Sequence, residues 1–130
     1  MYLHAVTIVV DDYDAAIAHY VGDLGFTLLE DTALDAGKRW VRVAPDPAAG
    51  SCLLLARAAN EAQRAAIGHQ TGGRVGFFLH VEDFHAYHRR LLDAGVTIVE
   101  GPRSEPHGTV AVFRDHYGNL WDLIQPPAAH

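Results

Sequence analysis

Only one cysteine, Cys52, occurs in the chain, so no internal disulfide can form and the cysteine-stapled secreted class is excluded. No run approaches the roughly 18 consecutive apolar residues of a membrane-spanning helix. The opening Met1-Tyr2-Leu3-His4 has neither the basic nor the apolar segment of a secretion signal. The expectation is a cytoplasmic protein with no membrane partner. Basic residues are few: 10 Lys and Arg stand against 16 Asp and Glu, and the formal net charge is −6. Without a clustered basic stripe there is nothing to neutralise phosphates, which argues against nucleic acid. Nucleophile signatures are missing too. There is no Gly-x-Ser-x-Gly elbow, no phosphate-cradling glycine loop and no base beside Cys52 in sequence. His85 and His88 lack a third donor nearby, and His19, His69, His107, His116 and His130 show no metal-ligand spacing.

What is present is an ordinary globular composition, 49% apolar and 20% charged, in a length that suits a single domain over 1–130. Residues 3–10 are β-branched and apolar and read as a strand. Asp11-Asp12 can cap a helix from Tyr13 to Val21 that Gly25 ends. A strand over 26–30, a turn at Asp35-Ala36-Gly37, a strand over 38–44, a turn over 45–50 and a strand over 52–56 follow, giving βαβββ. The second half repeats this order: a strand over 75–81, a Glu82-Asp83 cap, a helix over 84–94 stopped by Gly95, and strands over 96–100, 109–114 and 120–125. A Pro-containing loop precedes the strand over 109–114, and a tight turn on Gly118-Asn119 precedes the last strand.

The halves superimpose in sequence. Val10-Asp11-Asp12-Tyr13 matches Val81-Glu82-Asp83-Phe84, and the Gly25–Glu30 stretch matches Gly95–Glu100, a self-similarity that signals duplication. The fold expected is α+β, with two tandem βαβββ modules over 3–57 and 74–125 joined by a helical linker over 58–73. Their mixed sheets form a concave cavity, and the helices lie outside. Alternation along the strands then lines that cavity with Thr7, Val9, Trp40, Arg42, Cys52, Leu54, Phe78, His80 and Asp122. Large apolar surface with a few polar points is the make-up of a small-molecule pocket.

This arrangement resembles the vicinal-oxygen-chelate superfamily of glyoxalases, bleomycin-resistance proteins and extradiol dioxygenases. The resemblance runs over residues 3–125 and rests on the paired modules, the Val-x-Asp junctions at Val10–Asp12 and Val81–Asp83, Leu24-Gly25-Phe26, and Asp-x-x-Gly-Asn at Asp115–Asn119. Metal-dependent members that the chain resembles hold their ion at four positions, which fall here on Ala5, Leu54, Gly76 and Asp122. Three of these side chains offer no donor, whereas an ion needs about three. The expectation is therefore no metal and no cofactor.

A divalent cation would need a shifted set such as His4, His80 and Asp122. His4 lies one residue off, on the opposite strand face, and His80 lies about 13 Å along the strand from Gly76. The leading reading is a protein that binds a small organic molecule, aromatic or cationic, through Thr7, Trp40, Arg42, Cys52, Leu54, Phe78, His80 and Asp122. The alternative is a lyase, isomerase or dioxygenase of the same fold, using the shifted metal set or metal-free acid/base chemistry between Asp122 and His80. The resemblance also implies a homodimer.

Overall fold

Strands form where β-branched and aromatic residues alternate, and each half of the chain supplies four of them. The computed structural model describes residues 1–128; His130 lies outside the described residues. The chain divides into a first unit, Met1–Gln70, and a second beginning at Thr71.

In the first unit the strands are β1 (Ala5–Val10), β2 (Thr27–Ala33), β3 (Arg39–Ala44) and β4 (Cys52–Arg57), in sheet order β1-β4-β3-β2. β1 and β4 run parallel, and the other pairs antiparallel. Helix α1 (Tyr13–Ile17) starts at Asp12, whose carboxylate accepts from the Ala15 amide at 2.8 Å. The chain then continues through a π-helical turn, Ala18–Asp23, so the regular helix expected to Val21 is wider in its second half. The apolar stripe of α1 covers one sheet face, and Ile8, Val10, Val41, Val43 and Leu55 beneath it are wholly buried. A short helix α2 (Glu61–Ala66) is capped by Asn60. Beyond it the Gln70 amide accepts from the Val9 amide at 3.1 Å and donates to the Thr7 carbonyl at 2.8 Å, taking a strand neighbour's place on the outer edge of β1.

The second unit repeats the topology with β5 (Val75–His80), β6 (Thr97–Glu105), β7 (Gly108–Arg114) and β8 (Leu120–Gln125), ordered β5-β8-β7-β6. Helix α3 (Phe84–Asp93) is capped by Asp83, buries Phe84 and Leu91, and packs on β6 and β8, where Trp121 and Leu123 are buried. β6 runs on to Glu105, through a region expected as a loop, because its pairing with β7 is resumed after irregularities around Glu100 and Arg103.

The turn before β8 is built on a buried carboxylate. Asp115 Oδ1 accepts from the Tyr117 and Asn119 amides at 2.9 and 3.0 Å. Its Oδ2 accepts from Asn119 Nδ2 at 3.0 Å and from Trp121 Nε1 at 2.9 Å. Positive φ is needed at Gly118 alone (φ 104), so Asn119 serves as a hydrogen-bonding partner of Asp115 rather than as a second left-handed residue.

Candidate ligand-binding faces

On the face of the first sheet opposite α1, strand alternation presents Ala5, Thr7 and Val9 from β1, Cys52, Leu54 and Ala56 from β4, Trp40 and Arg42 from β3, and Glu30 and Thr32 from β2. One row crosses the whole sheet: Thr7 pairs with Leu54, Leu54 with Arg42, and Arg42 with Glu30. Arg42 is held from both sides. Its Nε donates to Glu30 Oε1 at 2.9 Å and its Nη1 to Cys52 Sγ at 3.5 Å. Hydrogen bonding from the Arg42 guanidinium holds the Glu30 carboxyl below its ordinary value, and Thr32 and Trp40 add to the effect. Cys52 is buried and its thiol donates to the His4 carbonyl at 3.3 Å, so it backs Arg42 from within the sheet. Trp40 remains 37% exposed beside this network.

Glu30 was not among the residues singled out from sequence, although it stands as far before Ala36, at the centre of the predicted turn, as Arg42 stands after it. His4 precedes β1, is exposed, and sets its ring edge-on to Tyr2 at 6.1 Å.

The equivalent row of the second sheet is Phe78, Asp122, Val112 and Glu100. Phe78 is 66% exposed and His80 is exposed, whereas Leu79 between them is buried. The register of β5 shifts between Val75 and Phe77, which makes Gly76 the extra residue of a bulge. Plain alternation puts Gly76 on the face of His80; in the structure Val75, opposite Leu120, holds that place. A Cβ at Gly76 would lie 2.7 Å from Thr71 Cγ2, so the Thr71 side chain fills the space that a side chain at 76 would take. His80 sits opposite Ile124, two residues along from Phe78 and Asp122, a diagonal rather than a direct neighbour of the carboxylate.

A groove of about 440 Å³ opens where the first sheet's open face reaches the end of β3 and β4. Trp40, Leu54 and Ala56 enter it from that face, and Tyr13, Lys38, Arg39, Arg57 and Gln63 surround them. Tyr13 organises this end. Its hydroxyl accepts from the Arg39 amide at 3.1 Å, and the guanidinium carbons of Arg39 and Arg57 each lie 5.1 Å from its ring centroid. Arg57 also donates to the Gly37 carbonyl at 3.2 Å. Of these residues only Trp40 and Leu54 were expected from sequence, because the convergence of Tyr13, Lys38 and Arg57 depends on how α1 and the turn at 35–37 pack against the strand ends.

The duplicated βαβββ topology agrees with comparison to known proteins. Residues 2–123 match the family described as Glyoxalase/Bleomycin resistance protein/Dioxygenase superfamily. The chain belongs to this superfamily. An uncharacterized protein of Shewanella frigidimarina (strain NCIMB 400) is 49% identical over 121 residues, covering 92% of this chain and 90% of that protein. Among solved structures, UcmS2 is 36% identical with a TM-score of 0.81, over 95% of this chain and 97% of that one. TnmS3, an antibiotic binding protein from Streptomyces sp. CB03234, is 32% identical with a TM-score of 0.77, over 98% of this chain and 97% of that one. Like other superfamily members, the chain has α+β architecture in tandem modules. No helix among the described residues is long and apolar enough to cross a membrane.

The superfamily's metal-dependent members raise the question of whether these residues fit an ion. At the four corresponding positions the first unit offers the hydrocarbon side chains of Ala5 and Leu54, and the second offers Gly76, backed by Thr71, and Asp122, flanked by Phe78 and Val112. Asp122 is the one carboxylate among these four positions, with Phe78 and Val112 across from it on the neighbouring strands.

Proposed function

We propose that this chain binds a small organic molecule on the open faces of its sheets and holds no resident metal. The observation that carries the reading is the first sheet's open face, where a part-exposed indole, Trp40, stands beside the Arg42–Glu30 pair at the mouth of the groove. An aromatic surface with a few fixed polar points favours binding and orienting a molecule. Likeness to an antibiotic binding protein over nearly the full length supports the same reading, and the donor-poor metal positions favour binding over metal-assisted turnover. Exposed Phe78 supports a homodimer that covers such surface.

The test is titration of untagged protein with a panel of small aromatic molecules by calorimetry, beside elemental mass spectrometry and sedimentation. Saturable binding that Trp40→Ala weakens at least about 10-fold, without stoichiometric metal, is the expected result. One equivalent of a bound metal, or consumption of a panel member that Asp122→Asn abolishes, would replace this reading with the enzymatic one. Binding indifferent to Trp40→Ala would remove the indole from the site.

A further inference from the structure

The charge at the groove runs against the charge of the chain. Its walls carry three of the protein's 10 Lys and Arg residues, Lys38, Arg39 and Arg57, and none of its 16 Asp and Glu. The three cations are not equivalent. Arg39 is already neutralised: its Nε and Nη2 grip Asp31 at 3.1 and 2.7 Å, and its Nη1 donates to Asp14 at 2.9 Å. Arg57 has only the Gly37 carbonyl and the Tyr13 ring, and neither it nor Lys38 is paired with a carboxylate among the described residues. A guanidinium carries five N–H donors in a planar fork, so most of Arg57's donors are left over while Tyr13 and Gly37 fix its position.

Beside this fork Trp40, Leu54 and Ala56 provide an apolar wall. The turn that carries Lys38 is also fixed. The Leu34 amide donates to the Lys38 carbonyl at 2.7 Å, and Ala36 is held at φ 58, a left-handed conformation that side-chain-bearing residues rarely adopt.

We infer that the groove takes an aromatic carboxylate, with the anion on the Arg57 fork and Lys38 and the ring against Trp40. This deepens the small-molecule reading above and rests on it, but reverses the charge that Asp122 alone brings to mind. A carboxylate matches the two-pronged fork, and one such charge answers the cations that Asp14 and Asp31 leave unpaired.

The experiment uses the full chain, labelled with nitrogen-15, and three probes of one shape: 2-naphthoate, neutral 2-naphthalenemethanol and cationic 2-naphthylmethylammonium. Amide shifts report both site and folding. Naphthoate is expected to bind at least about 10-fold more tightly than the ammonium, to shift amides of 36–40 and 57–59, and to lose about 10-fold in affinity in Arg57→Ala. Arg57→Gln, which keeps a donor for the Gly37 carbonyl, should lose a similar factor. Arg89→Ala, which removes an exposed cation paired with Asp93 on α3, should lose nothing. If naphthoate binds no better than the ammonium, or Arg57→Ala and Arg57→Gln behave like Arg89→Ala, the anionic assignment falls while binding of small aromatics stands. If none of the three probes binds, both fall.

Discussion

Removing the Asp115 carboxylate should be among the most damaging single changes the second unit can suffer. Asp115 is 3% exposed, and three of the donors it satisfies, Asn119 N, Asn119 Nδ2 and Trp121 Nε1, belong to buried residues. Asp115→Ala takes the carboxylate acceptor away from all three. An unpaired buried donor costs about 1–3 kcal/mol, and partial relaxation toward water keeps the sum near about 3–5 kcal/mol, a large share of the ~5–15 kcal/mol that holds a domain together. At a urea dependence of about 2 kcal/mol per molar, the midpoint should fall by about 2 M.

Asp115→Asn keeps an acceptor for the Tyr117 and Asn119 amides but can turn an amino group toward Trp121 Nε1 and Asn119 Nδ2, and should cost about 2–3 kcal/mol. Trp121→Phe keeps an aromatic ring where Phe77 and Phe113 stack, at 4.6 and 5.7 Å, and removes one donor only, so it should cost least, about 1–2 kcal/mol. Urea unfolding followed by circular dichroism, which does not depend on the tryptophan, ranks the three. A loss under about 1 kcal/mol for Asp115→Ala, or Trp121→Phe proving the worst, would refute the idea that this carboxylate organises the turn.

Three further outcomes follow from the same geometry. Gly76→Ala should cost about 1–3 kcal/mol by overpacking against Thr71. Thr71→Ser, which removes Cγ2 but keeps the hydroxyl that donates to the Arg74 carbonyl at 2.6 Å, should restore most of the loss in the double variant, and additive losses would rule out the clash. Asp83→Ala should destabilise α3 by about 1 kcal/mol and Asp83→Ser far less, since the Ala86 amide needs only a side-chain acceptor; equal losses would show that the cap contributes nothing. Because Arg42 depresses the folded-state pKa of Glu30, the pair's contribution is present above the ordinary glutamate value of 4.5 and is lost as pH falls through the folded value. The difference in thermal midpoint between the wild type and Glu30→Gln should therefore shrink on acidification below 4.5, and a difference independent of pH would remove the ion pair as its cause.

Where the sequence could be read depended on whether the deciding interaction was local. The tandem topology was legible because repeat, caps and turn residues are all local signals, and Val10–Tyr13 and Val81–Phe84 spell the same strand-to-helix junction twice. Alternation in the centre of a strand was equally legible: Val41 and Val43 lie buried on one face while Trp40 and Arg42 occupy the other. It fails where a strand takes in an extra residue, as at Gly76, because a bulge leaves no mark in a pattern of period two. The groove was beyond reach for a different reason. Arg57 ends one strand, Lys38 begins another and Tyr13 opens a helix, and only tertiary packing brings them to one cavity.

The same contrast explains how duplicated sheets acquired different chemistry. Glu30 and Glu100 both follow a register shift on equivalent strands, yet the rows they end differ at every other place: Thr7, Leu54 and Arg42 in one, Phe78, Asp122 and Val112 in the other. Glu30 has its arginine across the sheet on β3, whereas Glu100 has Arg103 three residues on along its own strand, at 3.2 Å. The duplicated backbone therefore fixes where side chains stand, while the substitutions along one row decide that the first sheet carries a braced cation beside an indole and the second a carboxylate beside an exposed phenylalanine.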